Sequence, residues 1–415
     1  MKEKTNYRWV VAVLILILPL NTMLPYLAMS VLMNDVMASL NIDYSLAGLT
    51  MTIMLAICGA CMFVGSFIQD RIGIKSTLNI AIWFLSIGSA ICFFSNSFVL
   101  LMLGRIVSGI GFGLSSVSVS PYMSTWFKGK ERAFMITANL ISTNVAGIIA
   151  YTIAGPLKKM TGSWRGVFGV YALIIAVIAL IWQFLGKTNK ELDMAAIIRR
   201  RSSGVRQESS FIKALKIKQY RLLMVSGIFL TSAMTAITAF LPSYITNGKG
   251  LLQETAITAA SVQSMAYIIG SILGGILVAR VGKRKMFLQA GLVSTLLGGI
   301  LLTVVQSPLL IFGTVFILGI GYMGLMPAHS TIVMETPEPF DPAILGGASA
   351  LTHGLGQIVS LVVSPLFSRI SGIIGMSGAL QIFFGLLIAS VFISFMINET
   401  GPNVSKVSQT KEVLQ

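Results

Sequence analysis

Apolar runs of about twenty residues recur along the chain, separated by short polar stretches. At ~1.5 Å per residue a run of ~20 crosses the ~30 Å hydrocarbon core of a bilayer. Backbone in lipid must satisfy its own hydrogen bonds, so each run is predicted to be a helix. The spans fall near residues 9–33, 45–68, 77–95, 98–122, 133–157, 165–186, 221–243, 255–279, 286–305, 309–334, 343–367 and 374–396. One polar stretch is long: "KTNKELDMAAIIRRRSSGVRQESSFIKALKIKQY", residues 187–220. It divides six spans from six. The pattern predicts an all-α integral membrane protein with twelve transmembrane helices, six within residues 1–186 and six within 221–415, the second half ending in a short tail, with 187–220 a basic linker between them. The first run continues to about residue 33 without a convincing cleavage site, so it reads as a span and not as a removed signal peptide.

Composition agrees with this pattern. The 415 residues are 55% hydrophobic and 11% charged, where a soluble domain carries about a quarter charged. The net charge of +16 would point to nucleic acid in a soluble protein. Here its distribution gives it another meaning. Under a twelve-span topology 24 basic residues lie on the side of the termini and 5 on the other, with Arg105 alone inside a span. Basic loops stay inside, so both termini are expected to be cytoplasmic, in a multi-pass plasma-membrane protein. Cys58, Cys61 and Cys92 lie in apolar runs and read as packing residues. No nucleophile–base pair, metal cluster or phosphate-binding loop stands out, so neither an enzyme nor an ATP-driven pump is expected, and no metal or cofactor.

The ends of spans 2 and 8 repeat one another. In "SFIQDRIGIKS" (66–76) and "GILVARVGKRK" (275–285), Arg71 aligns with Arg280, Gly73 with Gly282 and Lys75 with Arg284. The same loop position in two six-span halves points to duplication. Here the chain resembles the major facilitator superfamily across essentially its whole length. Ser66, Asp70, Arg71, Gly73 and Lys75 are similar to that family's 2–3 loop signature. Arg105, Gly109, Gly111 and Gly113 are similar to its span-4 signature, and "WFKGKER" (126–132) resembles the 4–5 loop of its anion-carrying branches. The resemblance implies two pseudo-symmetric six-helix bundles with a short cytoplasmic tail and a cytoplasmic linker, a central cavity and alternating access, with gating by Asp70, Arg71, Gly73, Arg280 and Gly282. Asp70 is expected to meet the N-terminus of span 11 and latch the outward-open state. Ala279, in place of the second acid, suggests that the mirror latch is missing.

Arg105 raises the question of chemistry. An arginine in the middle of a span costs ~2.5 kcal/mol or more, so it needs a cavity or a partner. All 14 acidic residues fall in loops, tails or span ends. Two readings stay open: Arg105 binds an anionic substrate, or it bonds backbone carbonyls and supports packing. Polar stripes at helical spacing add candidate binding residues: Asn21 and Tyr26, Asn139 and Thr143, Gln263 and Tyr267, His353 and Gln357. His353, near the midplane, could bind substrate or carry a proton. The favoured function is secondary transport of a small anion, an organic carboxylate, with export of drugs or other lipophilic molecules as the alternative. A non-transporting membrane sensor is a third reading, from another class. The expected partners are that substrate, the lipid bilayer, and protons or a counter-anion; nucleic acid is not among them, and a monomer is expected.

Overall fold

Local signals start several of the helices. The side chains of Asp43, Ser97 and Ser163 accept the backbone N–H three residues on, from Leu46, Leu100 and Gly166, and so satisfy donors a helix start leaves open. The computed structural model describes residues 2–127, 129–187, 210–336, 348 and 350–400. The helices in order are α1 (Lys2–Val31), α2 (Met33–Leu40), α3 (Tyr44–Ile72), α4 (Ile74–Phe93), α5 (Phe98–Trp126), α6 (Gly129–Thr161) and α7 (Trp164–Leu185). There follow α8 (Ser210–Lys216), α9 (Lys218–Ser243), α10 (Gln253–Val281), α11 (Arg284–Val304), α12 (Pro308–Glu335) and α13 (Leu355–Met396). Wider π-helical turns cover Tyr244–Gly248 and Ala350–Gly354.

Eleven stretches among the described residues are long and apolar enough to cross a membrane. Twelve were expected. The difference lies at the end of the chain, where the predicted spans 343–367 and 374–396 fall largely within the single 42-residue α13. Its course is broken at Gly375, whose φ of 78° and ψ of 165° leave the helical region. Most of the predicted linker, residues 188–209, lies outside the described residues.

The chain forms two compact units. The first comprises Met1–Arg206, Thr238–Ser243 and Gln357–Ser368; the second comprises Gln207–Ile237, Tyr244–Gly356 and Arg369–Gln415. In the first, α5 packs against both α3 and α4, α4 against α7, and α1 against α6. Glycine permits the closest of these approaches: a Cβ on Gly111 would stand 2.5 Å from the backbone oxygen of Ala81 in α4. In the second, α12 packs against α10 and α11. The aligned loop glycines have a shared cause. Gly73 (φ 85°) and Gly282 (φ 72°) both turn the chain through positive φ, where a side chain is strained. Large apolar side chains such as Leu173, Phe184, Leu309 and Ile373 face outward, as a multi-pass membrane protein requires.

Candidate functional site

A cavity of about 330 Å³ opens in the first unit between α1, α5 and α6. Thr22, Ser115, Ser116, Asn139 and Thr143 supply its polar lining, and Leu18, Pro19, Met23, Phe112, Val119, Met123 and Leu140 the rest. Among the described residues no charged side chain lines it. Three of its hydroxyls and one amide hydrogen are already engaged as donors. Thr22 donates to the carbonyl of Pro19 (3.0 Å), Ser116 to Phe112 (2.9 Å) and Thr143 to Asn139 (2.8 Å). Asn139 Nδ2 donates to the carbonyl of Ile15 at 3.4 Å. That carbonyl is available for a reason: Pro19, four residues on, has no N–H to give it. With their hydrogens directed at backbone, these hydroxyls and the Asn139 amide oxygen offer the cavity lone pairs.

Arg105 is fully buried elsewhere in this unit. Its Nε donates to the carbonyl of Thr50 in α3 and its Nη1 to that of Pro25 in α1, each at 2.7 Å. Nη2 is buried without a partner among the described residues. The guanidinium therefore ties α1 and α3 to α5, and it is not among the groups lining the cavity. Asn21 is buried one residue from the lining Thr22, with neither amide atom partnered among the described residues. Tyr26 is buried with its ring 6.1 Å from that of Phe112. Gln357, half-buried in the first unit, has an Oε1 without a partner among the described residues.

The remaining candidates sit in the second unit. Gln263 is buried on α10 with its Nε2 unpartnered among the described residues, and Tyr267, one turn on, lies 5.5 Å from the ring of Tyr322 on α12. His353 occupies the π-helical turn, and its ring centroid is 4.8 Å from that of His329 on α12. Sequence spacing gave no hint of this pair, because the two histidines are 24 residues apart on separate elements.

Of the loop candidates, the side chains of Asp70 and Arg71 lie outside what the structure describes, as do residues 337–347, where span 11 was expected to begin. At the aligned turn of the second unit the acids engage Arg284, the counterpart of Lys75. Arg284 Nη2 meets Glu335 Oε1 at 3.2 Å, while Glu399 accepts the backbone N–H of Arg284 (2.7 Å) and Lys285 (3.1 Å). Glu399 thus sits at the N-terminus of α11, where a negative charge is favoured. Thr400 Oγ1 closes the set on Glu335 Oε2 at 2.8 Å. An acid does serve this turn, supplied from residue 399 and not from the position of Ala279.

Among known families, residues 11–346 match the one described as Major Facilitator Superfamily. The chain belongs to that superfamily. Like other members of the Major Facilitator Superfamily it is a membrane carrier and not an enzyme, and it moves small molecules by alternating access. The "Probable metabolite transport protein CsbC" of Bacillus subtilis (strain 168) is 24% identical over 379 residues, covering 83% of this chain and 80% of that protein. The "Hexuronate transporter" of the same organism is 28% identical over 221 residues, about half of each chain (51% and 50%). A crystal structure of a D-xylose-proton symporter matches the fold with a TM-score of 0.76 at 15% identity, over 95% of this chain and 99% of that one. Superfamily members similar to this chain thus carry names that span neutral sugars and sugar acids, so the likeness leaves the substrate to the site.

Proposed function

We propose that this superfamily member carries a small, uncharged, hydroxyl-bearing organic solute across the plasma membrane. The observation that carries this reading is the lining of the first unit's cavity: hydroxyl and amide acceptors with no charge among the described residues. A solute rich in O–H groups donates to such a surface directly. A carboxylate brings only acceptors, and at Thr22, Ser116 and Thr143 it would have to displace an intrahelical bond. Lined as it is, the cavity recognises by hydrogen bonds, with Asn139 and Thr143 at the centre of recognition. In the same proposal the chain crosses twelve times as a monomer with both termini in the cytoplasm, the halves 1–186 and 221–415 flanking the linker. Asp70, Arg71 and Gly73, with Arg280 and Gly282, act at the cytoplasmic gates.

A second reading keeps the organic anion. It is favoured by one observation, the Nη2 of Arg105 left without a partner among the described residues, and requires the fully buried guanidinium to become open to solute. Exchange in proteoliposomes separates the two. Vesicles loaded with unlabelled polyols, monosaccharides or sugar acids are given the labelled compound outside. The expected result is exchange of a neutral polyol or monosaccharide, with half-saturation raised about tenfold in Asn139→Ala by loss of a hydrogen bond worth ~1 kcal/mol or slightly more. Exchange confined to carboxylates and lost in Arg105→Gln would replace this reading with the second. Extrusion of lipophilic dyes without exchange of either class would replace both.

A further inference from the structure

We propose that His329 and His353 form a one-proton site through which solute movement is coupled to protons; this rests on the carrier reading above. The chain has only these two histidines, and the fold places their rings 4.8 Å apart at 62° to one another. His329 is buried on α12, its Nδ1 without a partner among the described residues. His353 is half-buried, so the pair joins a buried imidazole to a partly exposed one.

Among the described residues, the surroundings leave these rings as the groups able to exchange protons there. Along α12, Tyr322 lies two turns before His329 and pairs with Tyr267 of α10. One turn after it, the carbonyl of Val333 takes the hydroxyl of Tyr220 from α9. Tyrosines hold their protons near neutral pH. From α11, Arg284 reaches Glu335 at the end of α12, where the two neutralise one another. The segment α8, which packs on the turn carrying His353, has Lys213 and Lys216 as its charged residues. The described acids of the second unit, Glu254, Glu335 and Glu399, all stand at helix ends. Among the described residues, His353 is thus the titratable side chain whose ring meets that of His329.

A proton on one ring opposes a second on its neighbour, so the pair binds one and not two. The element bearing His353 is adjustable. A π-helical turn differs from an α-helical one by a single residue of register, and π-turns recur at functional sites. A change of register there alters the approach of His353 to His329 and so the hold on the shared proton. One proton enters the pair from one side of the membrane and leaves to the other in each cycle, with no other bond made or broken.

Two measurements on the full-length protein test this. In the first, histidine-specific ¹⁵N NMR of the purified protein in detergent follows both rings from pH 4 to 8. Uptake of a single proton shared between the two resonances is expected, with the titration of His353 altered in His329→Gln. Two independent titrations, or none, would overturn the site whether or not any solute is known. In the second, proteoliposomes enclosing a pH-sensitive dye receive the solute found by exchange. The expected results are a solute-evoked pH change and, in His329→Gln, at least a tenfold fall in the ratio of gradient-driven accumulation to exchange. Exchange without any pH change, or an unaltered ratio, would overturn the coupling and leave the carrier standing. Absence of exchange with every solute would count against the carrier and not against the pair, which the NMR titration judges alone.

Discussion

The side chain of Arg105 spends its two short hydrogen bonds on backbone oxygens of two different helices, and this decides what its replacement should do. Lysine keeps the charge but offers a compact ammonium in place of a fork, so it cannot reach the carbonyls of Thr50 and Pro25 in the same geometry. Losing one charge-assisted bond costs ~1.5–3 kcal/mol. Arg105→Lys is therefore expected to lower the apparent Tm of the purified protein by several degrees while leaving the half-saturation for solute within about twofold. An unchanged Tm with a large loss of affinity would assign Arg105 to the solute instead. At this scale the sequence was partly legible. The lone cation within a span announced that it needed a partner, yet a search of side chains for acids cannot find carbonyl oxygens. Asn139 and Thr143 came from spacing, since residues four apart share a helix face. The histidine pair could not, since nothing in local spacing relates position 329 to position 353.

Glycines in α5 set how closely the helices approach, and they give a paired prediction. In Gly111→Ala the new methyl would stand 2.5 Å from the oxygen of Ala81, which is backbone and cannot rotate away. Helix α4 or α5 must shift, at ~1–3 kcal/mol for overpacking of this kind. Gly313→Ala is the control: a Cβ there meets nothing within 4 Å, and stability should be unchanged or slightly higher. A thiol-reactive dye that reports the exposure of the buried Cys58 and Cys92 on heating measures both. Equal melting of the two variants would refute the close-packing role. Apolar run length made most of the helices legible, because hydrocarbon thickness imposes it. The π-helical turns were not legible, because adding one residue to a turn leaves hydropathy unchanged. The Glu399 contact at the start of α11 was hidden for another reason: the acid arrives from the far end of the chain and not from the repeated motif.

For the molecule as a whole, the number of crossings turns on α13. Its 42 residues would extend about 63 Å as one straight helix, roughly twice the hydrocarbon core. The break at Gly375 lets the chain reverse, and the segments before and after it are then each long enough for one crossing. The 24-to-5 division of basic residues holds only under that reversal, since a single crossing would send the basic tail residues Lys406 and Lys411 to the other side. The exposed position 372, where a Cβ meets nothing, offers the test. In intact cells Gly372→Cys and Lys249→Cys are expected to react with a membrane-impermeant maleimide, whereas Lys283→Cys should react only after permeabilisation. Two of the three native thiols are buried, which keeps the background low. If Gly372→Cys were protected until the membrane was opened, α13 would cross once, the two termini would lie on opposite faces, and the symmetry between the halves would have to be abandoned.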